Sequence, residues 1–226
     1  MMVMGGAKKF FPQKKRCRSP KNFLVSNYML LDHQQIAKRL FAFRGRLVSN
    51  HRMQAAAVMM VLYNSPPSRQ AGSQTHVLLI EKARDRSRHS GQLAFPGGKI
   101  ESEDPSPLEA ALRETREEIG VDIEQLILLG SMGFFRTLTS GFDAAVHVAW
   151  APAPVQWMPR QQEVAAVYEI PLAKLQAQFN PNLRLQRRAD LMNLHFHWEI
   201  PGTKRTICIW GLTARVLHYF FQMLHA

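Results

Sequence analysis

The segment "FPGGKIESEDPSPLEAALRETREEIGV", Phe95 to Val121, constrains the chain more than any other. It specifies a strand end, a turn and a helix without a gap. Ser106 can cap the helix, Pro107 fits its first position, and Gly120 fits its C-terminal cap. Leu108, Ala111, Leu112 and Ile119 supply an apolar face at helical spacing. The same helix ends in three acids, Glu114, Glu117 and Glu118, within five positions.

Stability alone does not explain those acids. Glu114 and Glu118 are a like-charged pair at i,i+4, which costs roughly 0.2–0.5 kcal/mol in an isolated helix. They also sit near the helix C-terminus, where the dipole disfavours anions by roughly 0.3–1 kcal/mol. Arg113 can reach Glu117, but Arg before Glu is the poorer orientation. A divalent cation reverses the sign. Magnesium takes hard oxygen ligands and is held by one or two carboxylates together with substrate phosphates. Glu114 and Glu118 project from one face, one turn apart. The Gly97-Gly98 turn lets a backbone carbonyl approach, because no Cβ blocks it. Glu114, Glu118 and a backbone carbonyl of the Gly97-Gly98 turn, with Gly98 the candidate, can therefore hold Mg²⁺.

The rest of the chain gives a mixed set of elements. "DHQQIAKRLFAF" is an amphipathic helix by the spacing of Ile36, Leu40 and Phe43. "AAAVMMVLY" (55–63) is a continuous apolar run and reads as a buried strand; "THVLLIEKA" is a second. "RDRSRHSG" is a basic loop, "QLAF" a short strand ending at Pro96, and "PGG" a turn. "IEQLILLGSMGFF" and "FDAAVHVAW" are strands joined by a loop at Arg136–Gly141. "PLAKLQAQF" is a short helix. "LMNLHFHWEI" and "TICIW" form a hairpin turning at Pro201-Gly202, and "LTARVLHYFFQML" is a closing apolar helix. Strands and helices do not alternate regularly, so the class is α+β, built as a layered α/β/α domain. Phe95 and Trp210 read as core, and His89 as a structural hydrogen bonder.

Composition bounds the partners. The formal charge is +12, but residues 1–31 hold seven bases and no acid, leaving +5 for the remainder. The basicity belongs largely to an N-terminal extension, residues 1–31, ahead of a domain at 32–226. That extension reads as a disordered arm, a transit segment, or a stretch preceding a start at Met29. Nucleic-acid binding by the folded domain is weakly supported. A binder acting through the tail would show salt-dependent affinity lost on deleting 1–31. No apolar run is long enough to span a membrane. Cys17 and Cys208 lack metal-site spacing and read as free thiols of a reducing compartment. The expected location is cytoplasmic, or an organelle matrix if the basic segment directs transit. A homodimer is compatible with the sequence.

"PGGKIESEDPSPLEAALRETREEIGV" resembles the Nudix box: Gly, five residues, Glu, seven residues, then Arg-Glu-aliphatic-X-Glu-Glu-X-Gly-aliphatic. Arg113, Glu114, Glu117, Glu118, Gly120 and Val121 match in place. Thr115 stands where an aliphatic is usual. The middle acid is Asp104, shorter than Glu and one residue further from Arg113, which leaves its role open. The resemblance implies a Nudix-type α/β/α sandwich with a mixed sheet. It implies an enzyme that hydrolyses nucleoside diphosphate derivatives with Mg²⁺ or Mn²⁺. Glu114 and Glu118 would be the principal ligands, Glu117 would assist, and Arg113 would orient the cluster. Glu163, on a loop before a strand, is the candidate general base.

The flanks resemble the coenzyme A pyrophosphatase subfamily. His89, Gly91, Gln92, Ala94, Phe95, Pro96, Gly97 and Gly98 match its His-X-Gly-Gln strand and turn. "EVAAVYEIPLAKL" (163–175) and "IWGLTARVL" (209–217) are similar too. Lys82 stands where Arg is usual, and the basic loop is shifted in register. The implied substrate is a small molecule of coenzyme A type, whose extra 3′-phosphate needs further cations. Arg84, Arg86 and Arg88 are the candidates, with Lys82 weaker. The alternatives are a Nudix hydrolase of another substrate, such as ADP-ribose, and a nucleotide-binding Nudix module without catalysis.

Overall fold

The structure, a computed structural model, describes residues 29–43, 45–46, 48–50, 52–66, 72–83, 92–152 and 156–226. Its first helix, α1 (His33–Ala42), is capped by Asp32, whose carboxylate accepts from the Gln34 amide at 2.9 Å. Strands β1 (Gln54–Asn64), β2 (Thr75–Lys82), β3 (Leu93–Ala94) and β4 (Gly97–Lys99) follow. The acidic helix is α2 (Pro107–Ile119). After it come β5 (Ile127–Arg136), β6 (Phe142–Trp150), β7 (Val164–Pro171) and α3 (Leu172–Gln176). The chain closes with α4 (Arg188–Asn193), β8 (His195–Glu199), β9 (Thr206–Trp210) and α5 (Gly211–His225).

β1 to β7 make one mixed sheet. β1 and β6 run parallel; the other pairings are antiparallel. Both faces of the sheet are covered, which explains the unbroken apolar run at 55–63. Val58, Met60 and Leu62 of β1 face a core shared with α1, α5 and the β8–β9 hairpin. Ala57, Met59, Val61 and Tyr63 face the core under α2. A strand covered on both sides has no face to give to polar residues. Each of the Val, Met and Leu side chains contributes roughly 1.5–3 kcal/mol by leaving water. The α/β/α layering expected from the sequence is the architecture found.

One detail of register builds the site. β1 offers a single edge to two partners. Leu62–Asn64 pair with the start of β2, while Ala56–Val58 pair with β4. β2 therefore parts from β1, and β4 fills the space beside it. The end of β2 and the Gly97-Gly98 segment are brought side by side.

Several expectations are corrected. The "PGG" segment is not only a turn, since Gly97–Lys99 pairs with β1 as a short strand. Residues 191–193, read as strand, belong to α4, because Asp190 takes the Arg187 amide and closes a capping box. Ile123–Gln125 is a turn of 3₁₀ helix capped by Asp122, and β5 starts only at Ile127. Trp210 is not core: it ends β9 and is 42% exposed. Residues ahead of 32 also contact the domain. The Met29 carbonyl accepts from Thr75 N at 2.7 Å, and Leu31 N donates to Thr75 Oγ1 at 2.8 Å. Among the described residues, no helix is long and apolar enough to cross a membrane.

Candidate metal and phosphate site

α2 is placed by its own caps. Ser106 Oγ accepts from the Glu109 amide at 3.2 Å, and Gly120 ends the helix at φ 65°. A left-handed residue with a Cβ is strained there, and a Cβ would also meet the Met158 carbonyl. Ala110, Ala111, Thr115 and Ile119 are buried against the sheet. Thr115 is accommodated in place of an aliphatic because its hydroxyl donates to the Ala111 carbonyl at 2.6 Å.

That seating fixes the three acids at different depths. Glu118 points inward and is 1% exposed. Its Oε2 accepts from Gly97 N at 2.8 Å, and its Oε1 accepts from the Lys82 ammonium. Lys82 Nζ also donates to the Gly97 carbonyl at 3.1 Å. The Glu114 side chain is 15% exposed and lies against Gly98, where a Cβ would overlap its carboxylate. The Glu117 side chain, 39% exposed, faces outward.

Arg113 ties the outer part together. Its Nε and Nη2 donate to the two oxygens of Asp104 at 2.9 and 3.0 Å. Its Nη1 donates to Glu114 Oε1 at 3.1 Å and lies 3.6 Å from Glu117. Nη2 reaches the Lys99 carbonyl as well, at 3.2 Å. The acid whose role the sequence left open is thus the bidentate partner of Arg113. On its other side the Glu101 amide donates to Asp104 at 2.8 Å. Hydrogen bonds from Arg113, then from that amide, hold the Asp104 carboxyl below its ordinary range. Arg113 is in turn held firmly protonated, Asp104 being the main cause.

The inner pair behaves oppositely. Burial pushes the carboxyls of both Glu114 and Glu118 up. Arg113 and Lys82 pull Glu114 back in part; Lys82 and the Gly97 amide do the same for Glu118. Lys82 and Arg113 face four acids, namely Asp104, Glu114, Glu117 and Glu118. The cluster is short of two positive charges, the charge of one divalent ion. Its donors are hard oxygens, as Mg²⁺ and Mn²⁺ require. Among the described residues no group of three His, Cys, Asp or Glu forms a ready-made cage. Mg²⁺ is typically held by one or two carboxylates and completed by substrate phosphate and water. The donors present fit such an ion. The Gly97 carbonyl is the one that accepts from Lys82, the cation of Glu118.

The remaining site residues fall around this core. The α2 end is bolted to the following segment: Met158 N donates to the Ile119 carbonyl at 2.8 Å and Arg160 N to the Glu118 carbonyl at 3.1 Å. Glu163 comes next, its carbonyl accepting from Ala83 N at 2.8 Å, so it lies beside the end of β2. Its carboxylate pairs with Arg160 at 3.1 Å. Lys82, read as a weak phosphate contact, is placed on Glu118. Arg84, Arg86, Arg88 and His89 lie outside the described residues. Arg160 and the Lys82–Glu118 pairing were not read from the sequence. The only signal for the second was a cation at the end of a buried strand.

The NUDIX domain family model matches residues 53–189. A protein named uncharacterized Nudix hydrolase NudL, from Salmonella newport (strain SL254), is 30% identical over 198 residues, covering 87% of this chain and 90% of the relative. A protein of the same name from Salmonella heidelberg (strain SL476) is 32% identical over 164 residues, covering 72% and 78%. Among solved structures, a MutT/nudix family protein from Enterococcus faecalis aligns with a TM-score of 0.48 at 18% identity, covering 80% of this chain and 64% of that one.

Proposed function

We propose, from the premise that this chain belongs to the Nudix hydrolase family, that it hydrolyses the pyrophosphate bond of coenzyme A or a derivative, giving 3′,5′-adenosine bisphosphate and 4′-phosphopantetheine. The observation that carries the hydrolase reading is the meeting of Glu114 and Glu118 with the Gly97-Gly98 segment, in a cluster short of two positive charges. Glu114, Glu118 and the Gly97 carbonyl would hold Mg²⁺ or Mn²⁺. A divalent ion held there would neutralise pyrophosphate oxygens and lower the pKa of a water, so that its deprotonated form can attack phosphorus.

The chain's own groups divide the remaining work. Asp104 and the Lys99 carbonyl clamp Arg113, and Arg113 keeps Glu114 turned toward Gly98. Glu118 is locked from below by the Gly97 amide and cannot swing away. Glu117 is the most exposed of the three acids at the helix C-terminus and is loosely held by Arg113, which suits it to take the proton of an attacking water. Glu163 is the second candidate base; its carboxylate must first leave Arg160.

The coenzyme A reading rests on the residues that lead into this turn. Gln92 to Gly98 carries the strand and turn that resemble the coenzyme A subfamily. With Lys82 on Glu118, recognition of the 3′-phosphate falls to Arg84, Arg86 and Arg88. The test is a product assay on coenzyme A, dephospho-coenzyme A and ADP-ribose, with Mg²⁺ or Mn²⁺ and with chelator. Metal-dependent release of both coenzyme A products, faster than from the other two, is expected. Intact coenzyme A beside hydrolysed ADP-ribose would end the substrate assignment and leave the hydrolase reading standing. Each loop arginine replaced by Gln should raise KM for coenzyme A about ten- to a hundredfold, the cost of one charged hydrogen bond. KM for dephospho-coenzyme A should change little.

A further inference from the structure

Lys82 ends β2, in which Thr75 to Ile80 are buried. Its ammonium reaches past the sheet edge to two oxygens, Glu118 Oε1 and the Gly97 carbonyl. Both belong to the donor set assigned above to a divalent ion. Its charge is also felt at Glu114, the other inner acid. The Lys82 side chain is 26% exposed, so it has an open path to solvent, while Glu118 at 1% has none.

We propose that Lys82 is the displaceable counter-ion of the metal site. Without a divalent ion, its ammonium keeps Glu118 seated in the core and the Gly97 carbonyl turned inward. When the ion binds, ammonium and ion compete for the same two oxygens, and the ion displaces the side chain outward. The ammonium is then free on the outer side of the turn. The lysine is a positioning residue before metal binding and an added cation for substrate phosphate after it.

The chemistry of the two cations supports this order. An ammonium is a compact monovalent charge on a flexible stem with donors that rotate freely, so it can leave without rebuilding the site. A buried ionised carboxylate stripped of its partner is strongly destabilising, so whenever Glu118 is charged a cation must stand beside it. A guanidinium in this place would be held by its fork and would release less readily.

The inference rests on the metal reading above, and its test separates the two. In the full-length protein, Mn²⁺ binding is followed by electron paramagnetic resonance of the free ion. In parallel, Lys82 is labelled with an amine-reactive reagent and quantified by mass spectrometry, with exposed Lys204 as the internal reference. Saturating Mn²⁺ is expected to speed Lys82 labelling several-fold and leave Lys204 unchanged. Lys82→Met is expected to bind Mn²⁺ about tenfold more tightly, since a charged competitor is gone. Its melting temperature in chelator should fall, and Mn²⁺ should raise it by more than it raises the wild type. Mn²⁺ that binds without speeding Lys82 labelling overturns the proposal even if the variant fails to fold. Equal or weaker Mn²⁺ affinity in Lys82→Met overturns it as well. Absence of Mn²⁺ binding by the wild type overturns the metal reading and the proposal with it.

Discussion

Glu118 is a carboxylate that the fold would sooner keep neutral. Burial raises its pKa more than Lys82 and the Gly97 amide lower it. A carboxyl raised in the folded state binds more protons there than in the unfolded chain. Its folded form is therefore favoured below the ordinary carboxylate range, and that advantage is lost as pH rises through the raised value. In chelator, the wild type should lose stability as pH climbs from about 4 toward neutral, and Glu118→Gln should show a flatter curve. Thermal unfolding across that range checks it; identical slopes would remove the burial argument. Turnover of Glu118→Gln should fall by orders of magnitude. Asp104 has the opposite sign: its depressed pKa means that its bond to Arg113 is present above the ordinary range and lost as pH falls below it. Asp104→Asn should lower kcat about tenfold or more through a slack Arg113, with Asp104→Glu recovering part. A change in KM alone would assign Asp104 to substrate contact instead.

At the scale of elements, the site depends on β4 and α2 lying closer than side chains normally allow. Gly98→Ala puts a methyl into the Glu114 carboxylate. The helix cannot retreat, because Ala110, Ala111 and Thr115 are packed on the sheet. Glu114 must turn away, so Mn²⁺ affinity should drop at least tenfold while overpacking costs roughly 1–3 kcal/mol of stability. Retained affinity would show that Glu114 is not a ligand. What was legible in the sequence followed the range of the interactions. The bounds of α2 were readable because Ser106, Pro107 and Gly120 act within one turn of their own positions. β1 was readable because both its faces are apolar. β4 was not, since two glycines and a lysine carry no strand pattern and only pairing with Ala56–Val58 makes them one. The Lys82–Glu118 bond spans 36 positions and depends on β2 parting from β1, which no local pattern encodes. Residues 191–193 were misread because Leu191 and Met192 suit either state, and Asp190, which decides it, precedes the quoted run.

Across the whole molecule, the N-terminal limit of the domain can be tested by cutting. Met29 and Leu31 hold the opening of β2 through Thr75, and Asn64 Nδ2 donates to the Leu31 carbonyl at 3.2 Å. Both side chains also pack against the core shared with α1. A chain beginning at Met29 should melt with the full-length protein. One beginning at Asp32 loses three hydrogen bonds and two apolar contacts. Each hydrogen bond contributes about 0.5–1.5 kcal/mol, so melting should fall by several degrees. Equal melting of the two chains would return the boundary to 32.

The parallel pairing of β1 with β6 has a consequence during synthesis. Gln54 pairs with Phe142, 88 positions later, and the same offset holds to Leu62 and Trp150. At roughly 5–20 residues per second, the most apolar strand of the chain waits roughly 4–18 s for its neighbour to leave the ribosome. During that wait it is an unpaired edge with a hydrophobic surface on each side, the form most open to capture by another nascent chain. The protein is therefore expected to depend on holdase chaperones when it is made and not afterwards. Pelleting assays of translation with and without chaperone, set against refolding of the purified chain at low concentration, would separate the two phases.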